Sequence, residues 1–350
     1  MSFLYAPEAL NRIAREILEA TGVPSEPAAA VASGLLQADL YGHRTHGLQL
    51  LGDYVEAIEE GGMTRDGAPE VVSSHGAVET WDARRLPGVW TTGLAIDRAT
   101  VIADQLGLGA VALRRSHHIA CLAAFLEEPA RAGTFILVFT SDPSARMVAP
   151  HGGVTPVTTP NPIAAGIPAE PDPILIDVSM SITTGGMTAL RKSEGRTMPG
   201  HWLLTPEGAV SDDPGVLGAG GALLPIGGLD HGHKGYALGL LVECLTQGLS
   251  GYGRADEPAE WGASVLVLAL KPSGFAGAQA FRRQVQWLIG ACRDARPLDP
   301  ATPVRLPGEA ALARARQARQ EGVPLSPAIA ATMRTLAERY GVEAGELGSR

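Results

Sequence analysis

Thr45-His46-Gly47 follows the residues Tyr41-Gly42-His43-Arg44 and precedes the apolar series Leu48, Leu51, Val55 and Ile58, and this set could move a proton. The spacing predicts a helix starting at His46 with Thr45 as its N-cap, its hydroxyl accepting a backbone N–H that the first turn leaves unpaired. An imidazole there titrates near neutral pH among free N–H donors, which suits proton transfer to an anionic substrate. The same residues also fit a plainer description, a histidine that fills a helix start, and other segments have to decide between the two.

A second candidate is Lys234 in Gly232-His233-Lys234-Gly235-Tyr236, ahead of an apolar run. Small residues around a lysine would let a phosphate or carboxamide approach the backbone, although a glycine-rich turn with a solvated lysine reads the same. Asp230, His231 and His233 lack a further carboxylate or cysteine at a recognised ligand spacing, so no metal is expected. The dinucleotide fingerprint G-x-G-x-x-G between a strand and a helix is missing. Gly107-Leu108-Gly109 precedes a strand, and the stretch from Gly215 to Gly221 opens no helix. The sequence contains no phosphate-binding GxxxxGK[ST] loop and no CxxC pair.

These residues need elements to hold them. The apolar spacing predicts helices over about Pro7 to Ala20, Glu26 to Leu40 and His46 to Glu60, punctuated by Pro24 and Gly61-Gly62. From Ala77 strands and helices alternate: strands at Ala77 to Trp81, Ala110 to Leu113, Thr134 to Thr140, Ile174 to Val178 and Ala263 to Leu270, with helices at Trp90 to Leu106 and, buried, at Gly235 to Leu249. Helices return at roughly Gly277 to Cys292 and Glu309 to Glu321. The expected organisation is a helical lobe built from residues 1–75 and the C-terminal helices of 275–350, around a mixed α/β region over 76–274.

The chain has 350 residues, 45% of them hydrophobic, and a net charge of −9 with signs interspersed, which argues against a nucleic-acid partner. No apolar run approaches the roughly 20 residues of a membrane span, and the first residues lack a basic then apolar leader, so no membrane association and a cytoplasmic location are expected. Cys121, Cys244 and Cys292 are few and scattered, and read as reduced, buried thiols.

Six segments resemble one family in order and spacing: His46 in Gly42-His43-Arg44-Thr45-His46-Gly47, Arg115-Ser116-His117-His118, Asn161-Pro162-Ile163 with Gly166-Ile167-Pro168, Asp177-Val178-Ser179, Gly232 to Tyr236, and Leu306-Pro307-Gly308-Glu309. That family is the type 2 malate/L-lactate dehydrogenase-like family, which includes ureidoglycolate, sulfolactate and diketogulonate enzymes and the Δ1-piperideine-2-carboxylate/Δ1-pyrroline-2-carboxylate reductases. The resemblance covers about Leu10 to Gly322. It implies an α/β, non-Rossmann fold with a largely antiparallel sheet binding NAD or NADP over about residues 118–230, and a homodimer. It also implies His46 as proton donor, Thr45 in place of the serine that orients it, and His118 as a second catalytic or cofactor-site histidine. By the same resemblance the cofactor segments are His118-Ile119-Ala120, Ser141, Asp177-Val178-Ser179, His233-Lys234 and Arg305-Leu306-Pro307-Gly308-Glu309. The substrate side is Arg44, Leu50, Thr159, Asn161, Gly185 and Gly186.

Besides Thr45, three residues depart from that pattern. Leu50 stands where the family carries a carboxylate-binding arginine, Pro160 where it carries a threonine, and Ala120 where it carries a glycine. If residues 46–50 are helical, Leu50 shares a face with His46, and an apolar surface replaces a guanidinium. Arg44, Arg115 and Arg146 are candidates for a relocated anchor. The expected function is hydride transfer between NAD(P)H and C2 of a small 2-oxo or 2-hydroxy carboxylic acid, with His46 supplying the proton. A cyclic imino acid is the alternative substrate, and a non-catalytic nucleotide-binding dimer of the same fold is the second alternative. The sequence does not separate NAD from NADP.

Overall fold

The computed structural model describes residues 3–348. A short strand β1 (Phe3–Tyr5) leads into α1 (Pro7–Ala20), which opens with a proline and buries Leu10, Ile13, Ala14, Ile17 and Leu18 along one stripe. Helix α2 (Ser25–Tyr41) packs on α1 and ends at Gly42, whose φ of 86° gives the left-handed cap that a side chain would disfavour.

The helix expected from His46 does not form there. Arg44–His46 and Leu48–Leu50 are separate 3-10 turns, and α3 begins only at Leu51 (Leu51–Glu59). Thr45 therefore caps nothing. The reason is local competition: Gly47 is extended (φ −98°, ψ −146°), and the Leu48 N–H, which a continuous helix would give to the Arg44 carbonyl, is given instead to Asp39 Oδ2 at 2.7 Å.

The middle of the chain builds a seven-stranded sheet in the order β2-β3-β4-β11-β5-β6-β7. Its strands are β2 (Glu70–His75), β3 (Val78–Asp82), β4 (Leu108–Ser116), β5 (Phe135–Ser141), β6 (Ile163–Ile167), β7 (Ile174–Val178) and, after a long excursion, β11 (Ala263–Leu270). Only β3 and β4 run parallel, joined by α4 (Gly88–Leu106); the other pairs are antiparallel. The apolar run of β11 suits its central place, whereas β2 is an exposed edge. Short α5 (Glu127–Arg131) precedes β5. Between β7 and β11 lie α6 (Gly185–Ser193), a small sheet of β8 (Leu203–Leu204), β9 (Val210–Ser211) and β10 (Ala222–Leu223) with α7 (Gly215–Gly218), then α8 (Gly228–Glu243), which runs into a π turn at Cys244–Gly248. Helix α8 thus starts before His233 and Lys234, and it is not a buried helix: Leu238, Leu240 and Leu241 are exposed.

The chain closes with α9 (Ala278–Asp294), α10 (Glu309–Glu321), β12 (Val323–Leu325) and α11 (Pro327–Tyr340). Strand β12 pairs with β1, α10 packs on α2, and α11 on α1 and α3, so the two ends share one layer. Helix α9 does not join it as expected of residues 275–294. Its one buried residue is Ile289, Phe281 faces Phe135 of β5, and Gln286 donates to the Glu170 carbonyl. One hydrophobic core runs from α1–α3 and α10–α11 through Val111, Leu113, Val265 and Val267 of the sheet. Among the described residues no helix is long and apolar enough to cross a membrane.

Candidate active site

A cavity of about 520 Å³ opens where the α2–α3 connection, the loops leaving β4, β5 and β7, the first turn of α6 and the approach to β11 meet. It gathers Thr45, His46, Leu50, His118, Ile119, Ala120, Ser141, Thr159, Asn161, Asp177, Ser179, Gly185 and Gly186. Sites at the loops that follow strand ends are the usual outcome when a rigid sheet positions variable loops.

The His46 ring is fixed through Nδ1, 2.9 Å from the Thr45 hydroxyl. Thr45 thus orients the imidazole directly, and in the protonated ring Nδ1–H donates to that hydroxyl while Nε2 stays free for chemistry. Burial pulls the pKa of His46 below its ordinary value; Asp177 pulls it up and His43 pushes it down. His118 stacks against His46 with centroids 6.1 Å apart and against Trp261 at 4.6 Å. Its Nδ1 lies 2.9 Å from the Tyr54 hydroxyl and accepts the Ala120 N–H at 3.3 Å. Because an amide N–H can only donate, this nitrogen is unprotonated and Nε2 carries the hydrogen. Burial, with His46 and His117 nearby, holds the His118 pKa well below its ordinary value, so the ring is neutral.

Two cavity residues sit in the left-handed region, Ala120 at φ 56° and Asn161 at φ 47°. At Ala120 that angle is one that glycine adopts without strain, in keeping with the glycine that the resemblance implies there. Asn161 is held on all sides: its Oδ1 accepts from Thr159 at 2.7 Å, and its Nδ2 donates to the Gly239 carbonyl at 3.1 Å and to Glu243 at 2.9 Å. Glu243 is gripped through both carboxylate oxygens by Arg254, which also donates to the Asp142 carbonyl at 2.9 Å and to the Ala145 carbonyl. Pro160 offers no hydroxyl, and Thr159 keeps one in the neighbouring position. The first turn of α6 lies against the Thr45-His46 turn. A Cβ on Gly186 would stand 3.2 Å from the Thr45 Cβ, and one on Gly185 3.1 Å from the Met147 sulfur, so side chains there would crowd the site.

Other expected residues lie elsewhere. Arg44 and Arg146 are exposed and line no part of the cavity, and Arg115 is committed to Asp82, so none of the three stands as a relocated anchor in the cavity. The cavity lining contains no lysine or arginine. His233 and Lys234 project from the exposed face of α8. The glycines around them, Gly232, Gly235 and Gly239, are buried packing positions, where a Cβ on Gly235 would stand 2.6 Å from Ile226. Val178 is exposed. Pro307 accepts the Leu175 N–H at 3.2 Å, and Gly308 packs on Leu175, which seats residues 305–309 beside β7 outside the cavity. Glu309 pairs with Arg293 and accepts the Leu306 N–H.

The cavity also holds residues that sequence reasoning missed: His43, Met147, Met187 and Trp261, with Tyr54 behind His118. His43 stood in view in the same hexapeptide as His46. No spacing signal marks Tyr54, Met147 or Trp261, which reach the site through tertiary packing.

A mostly antiparallel sheet without a glycine fingerprint, carrying two half-buried, stacked histidines beside a largely apolar cavity, defines the class as a nicotinamide-dependent dehydrogenase outside the Rossmann fold. The family is shown directly: the malate/L-lactate dehydrogenase family model matches residues 5–334, and the chain belongs to that family. It is similar to the (2R)-3-sulfolactate dehydrogenase (NADP(+)) of Chromohalobacter salexigens, 34% identical over 346 residues covering 96% of this chain and 99% of that one. It is also similar to the Δ1-pyrroline-2-carboxylate reductase of Ancylobacter novellus, 29% identical with 93% and 95% covered. The fold matches the crystal structure of malate dehydrogenase from Entamoeba histolytica with a TM-score of 0.92, covering 98% of this chain and 99% of that one at 22% identity. The chain is an NAD(P)-dependent oxidoreductase.

Proposed function

We propose that the protein reduces the C2 carbonyl of a small 2-oxo acid bearing one carboxylate and an apolar side chain, with His46 giving the proton. The observation that carries this reading is the cavity itself. It brings an oriented, half-buried imidazole together with a neutral one, and its lining offers no cation for a second acidic group.

The lining fits a nicotinamide cofactor. Ile119 and Leu122 provide apolar surface, and Ser141, Asp177 and Ser179 line the cavity beside them. We assign the nicotinamide half to His118-Ile119-Ala120, Ser141, Asp177 and Ser179, and the far half to residues 305–309, seated beside the same strand β7. When bound, the nicotinamide supplies the hydride. Asp177 is itself fixed, accepting the Ala123 N–H at 2.9 Å. The substrate carboxylate is met by the N–H groups of Gly185 and Gly186, which the first turn of α6 leaves unpaired. Leu50, Met147 and Trp261 shape the side-chain pocket. His46, protonated and held through Thr45, delivers its Nε2 proton to the developing oxyanion, and a bound carboxylate raises its pKa toward working pH. His118, neutral with Nε2–H, offers a hydrogen bond and does not compete for the proton.

We also propose a homodimer built on α8. Leu238, Leu240 and Leu241 and the following Leu249 are 43%, 43%, 48% and 60% exposed, apolar side chains that a second copy would cover.

The test is consumption of NADH or NADPH with pyruvate, phenylpyruvate, oxaloacetate, sulfopyruvate and Δ1-pyrroline-2-carboxylate. Faster turnover of phenylpyruvate or pyruvate than of oxaloacetate and sulfopyruvate is expected. Preference for the doubly charged acids would overturn the substrate assignment, and turnover of the imino acid alone would move the reaction to C=N reduction.

A further inference from the structure

Asp39, in the last turn of α2, is a buried carboxyl that the chemistry above leaves unused. It is 6% exposed. Its Oδ2 accepts the Leu48 N–H at 2.7 Å, and its Oδ1 is sealed without a hydrogen-bond partner among the described residues. The carboxylate also presses on the backbone next to His46: a Cβ on Gly47 would lie 2.4 Å from Oδ2, 2.5 Å from Cγ and 2.6 Å from Oδ1. Burial pushes its pKa up to about 7 against the pull of the Leu48 N–H and Arg44. An apolar side chain would be easier to bury here, so what needs explaining is what the carboxyl holds.

What it holds is the break between two 3-10 turns. Residues 44–50 would close as a continuous helix if the Leu48 N–H turned back to the Arg44 carbonyl. With that N–H captured, Gly47 stays extended and the Arg44–His46 turn keeps its own direction. That direction places Thr45 beside Gly186 and His46 over His118. We infer that Asp39 is a positioning residue, whose Oδ2 fixes the Gly47-Leu48 break and thereby the place of the His46 imidazole over His118. Gly47 is its obligatory counterpart, because any side chain at 47 would displace the carboxylate. The inference rests on His46 as the proton donor.

The test uses the full chain as wild type, Asp39→Asn and Asp39→Ala. Three quantities are measured: NAD(P)H affinity by fluorescence titration, kcat on the substrate turned over, and the His46 imidazole shifts by NMR, assigned with His46→Asn. Asparagine keeps an acceptor for the Leu48 N–H, so Asp39→Asn is expected to stay within about threefold of wild type in kcat with His46 shifts nearly unmoved. Asp39→Ala is expected to lose about 10²-fold in kcat and to move the His46 shifts, while NAD(P)H affinity stays within about twofold. Unmoved His46 shifts in Asp39→Ala, a parallel loss of kcat and cofactor affinity, or an asparagine as impaired as the alanine would overturn the proposal. Should Asp39→Ala lack a cooperative melt, Gly47→Ala takes its place. It is expected to move the same shifts with cofactor affinity kept, and unmoved shifts would again refute the role. A wild type that turns over none of the substrates would count against the reaction assignment, and the His46 shifts would still decide the role of Asp39.

Discussion

At His46 burial favours the neutral ring while Asp177 favours the charged one, and burial is the larger influence. With His46 as the proposed proton donor, reduction needs the protonated form, so kcat/KM for the oxo acid should fall as pH rises through a midpoint below the ordinary value of about 6.5. Oxidation of the hydroxy acid should show the opposite limb. A pH–rate profile in both directions checks this, and a reductive rate that rises with pH would contradict the assigned role. Ala120 offers a second residue-scale expectation. Its φ of 56° is one that glycine adopts freely, so Ala120→Gly should stabilise the fold by about 1 kcal/mol, read as a shift in denaturation midpoint. At this scale Thr45, His46, His118 and Asn161 were legible because they stand in an ordered series of short segments. The capping role given to Thr45 was not correct, because the side chain that redirects the Leu48 N–H lies six residues before Thr45, at Asp39. Tyr54 and Trp261 left no trace in the spacing; only packing puts them on His118.

Elements explain what single residues do not. The loop after β5 lines the cavity at Asp142, Ala145 and Met147, and Arg254 holds it there through the Asp142 and Ala145 carbonyls while gripping Glu243 at the end of α8. Arg254→Lys keeps the charge and loses the planar fork, and should weaken cofactor affinity by on the order of 1–2 kcal/mol, measurable by titration with NAD(P)H. An unchanged affinity would mean that the loop holds its shape without the guanidinium. The helix α8 also shows how far spacing carries. Its glycines suggested a phosphate-binding turn, yet they are the packing face of a helix. Glycine at helical spacing and glycine in a turn look alike in a sequence, and only the surface packed against them tells them apart. The central strands were legible because continuous apolar runs mark strands covered on both faces, as in β11. The edge strand β2 and the two-residue strands of the small sheet carry no such run and were missed.

For the whole molecule, the sheet and the terminal helices share one core, and its acid sensitivity is set in part by His117. This ring is 1% exposed, packs on Tyr54 and Trp261, and burial lowers its pKa to about 4. The unfolded chain takes up that proton first as pH falls. The stability His117 contributes is therefore whole above about pH 6.5 and lost progressively toward pH 4, on the order of 3 kcal/mol in total. Denaturant midpoints should drop between neutral and mildly acid pH, and His117→Gln should flatten that drop; an equal slope in the variant would assign the acid loss to other groups. The dimer proposed on the exposed leucines of α8 sets a further expectation: the wild type should sediment as a dimer and Leu241→Glu as a monomer, whereas a monomeric wild type would refute the dimer and an unchanged dimer in the variant would place the interface elsewhere.

The most direct measurement is a single turnover with NAD(P)H carrying deuterium at the transferable position, in the wild type and in His46→Asn, with the product analysed by mass and NMR. The account predicts deuterium at C2 of the product in the wild type and a rate about 10²–10⁴-fold lower in the variant at unchanged cofactor affinity. Product without deuterium at C2, or a variant as fast as the wild type, would contradict it.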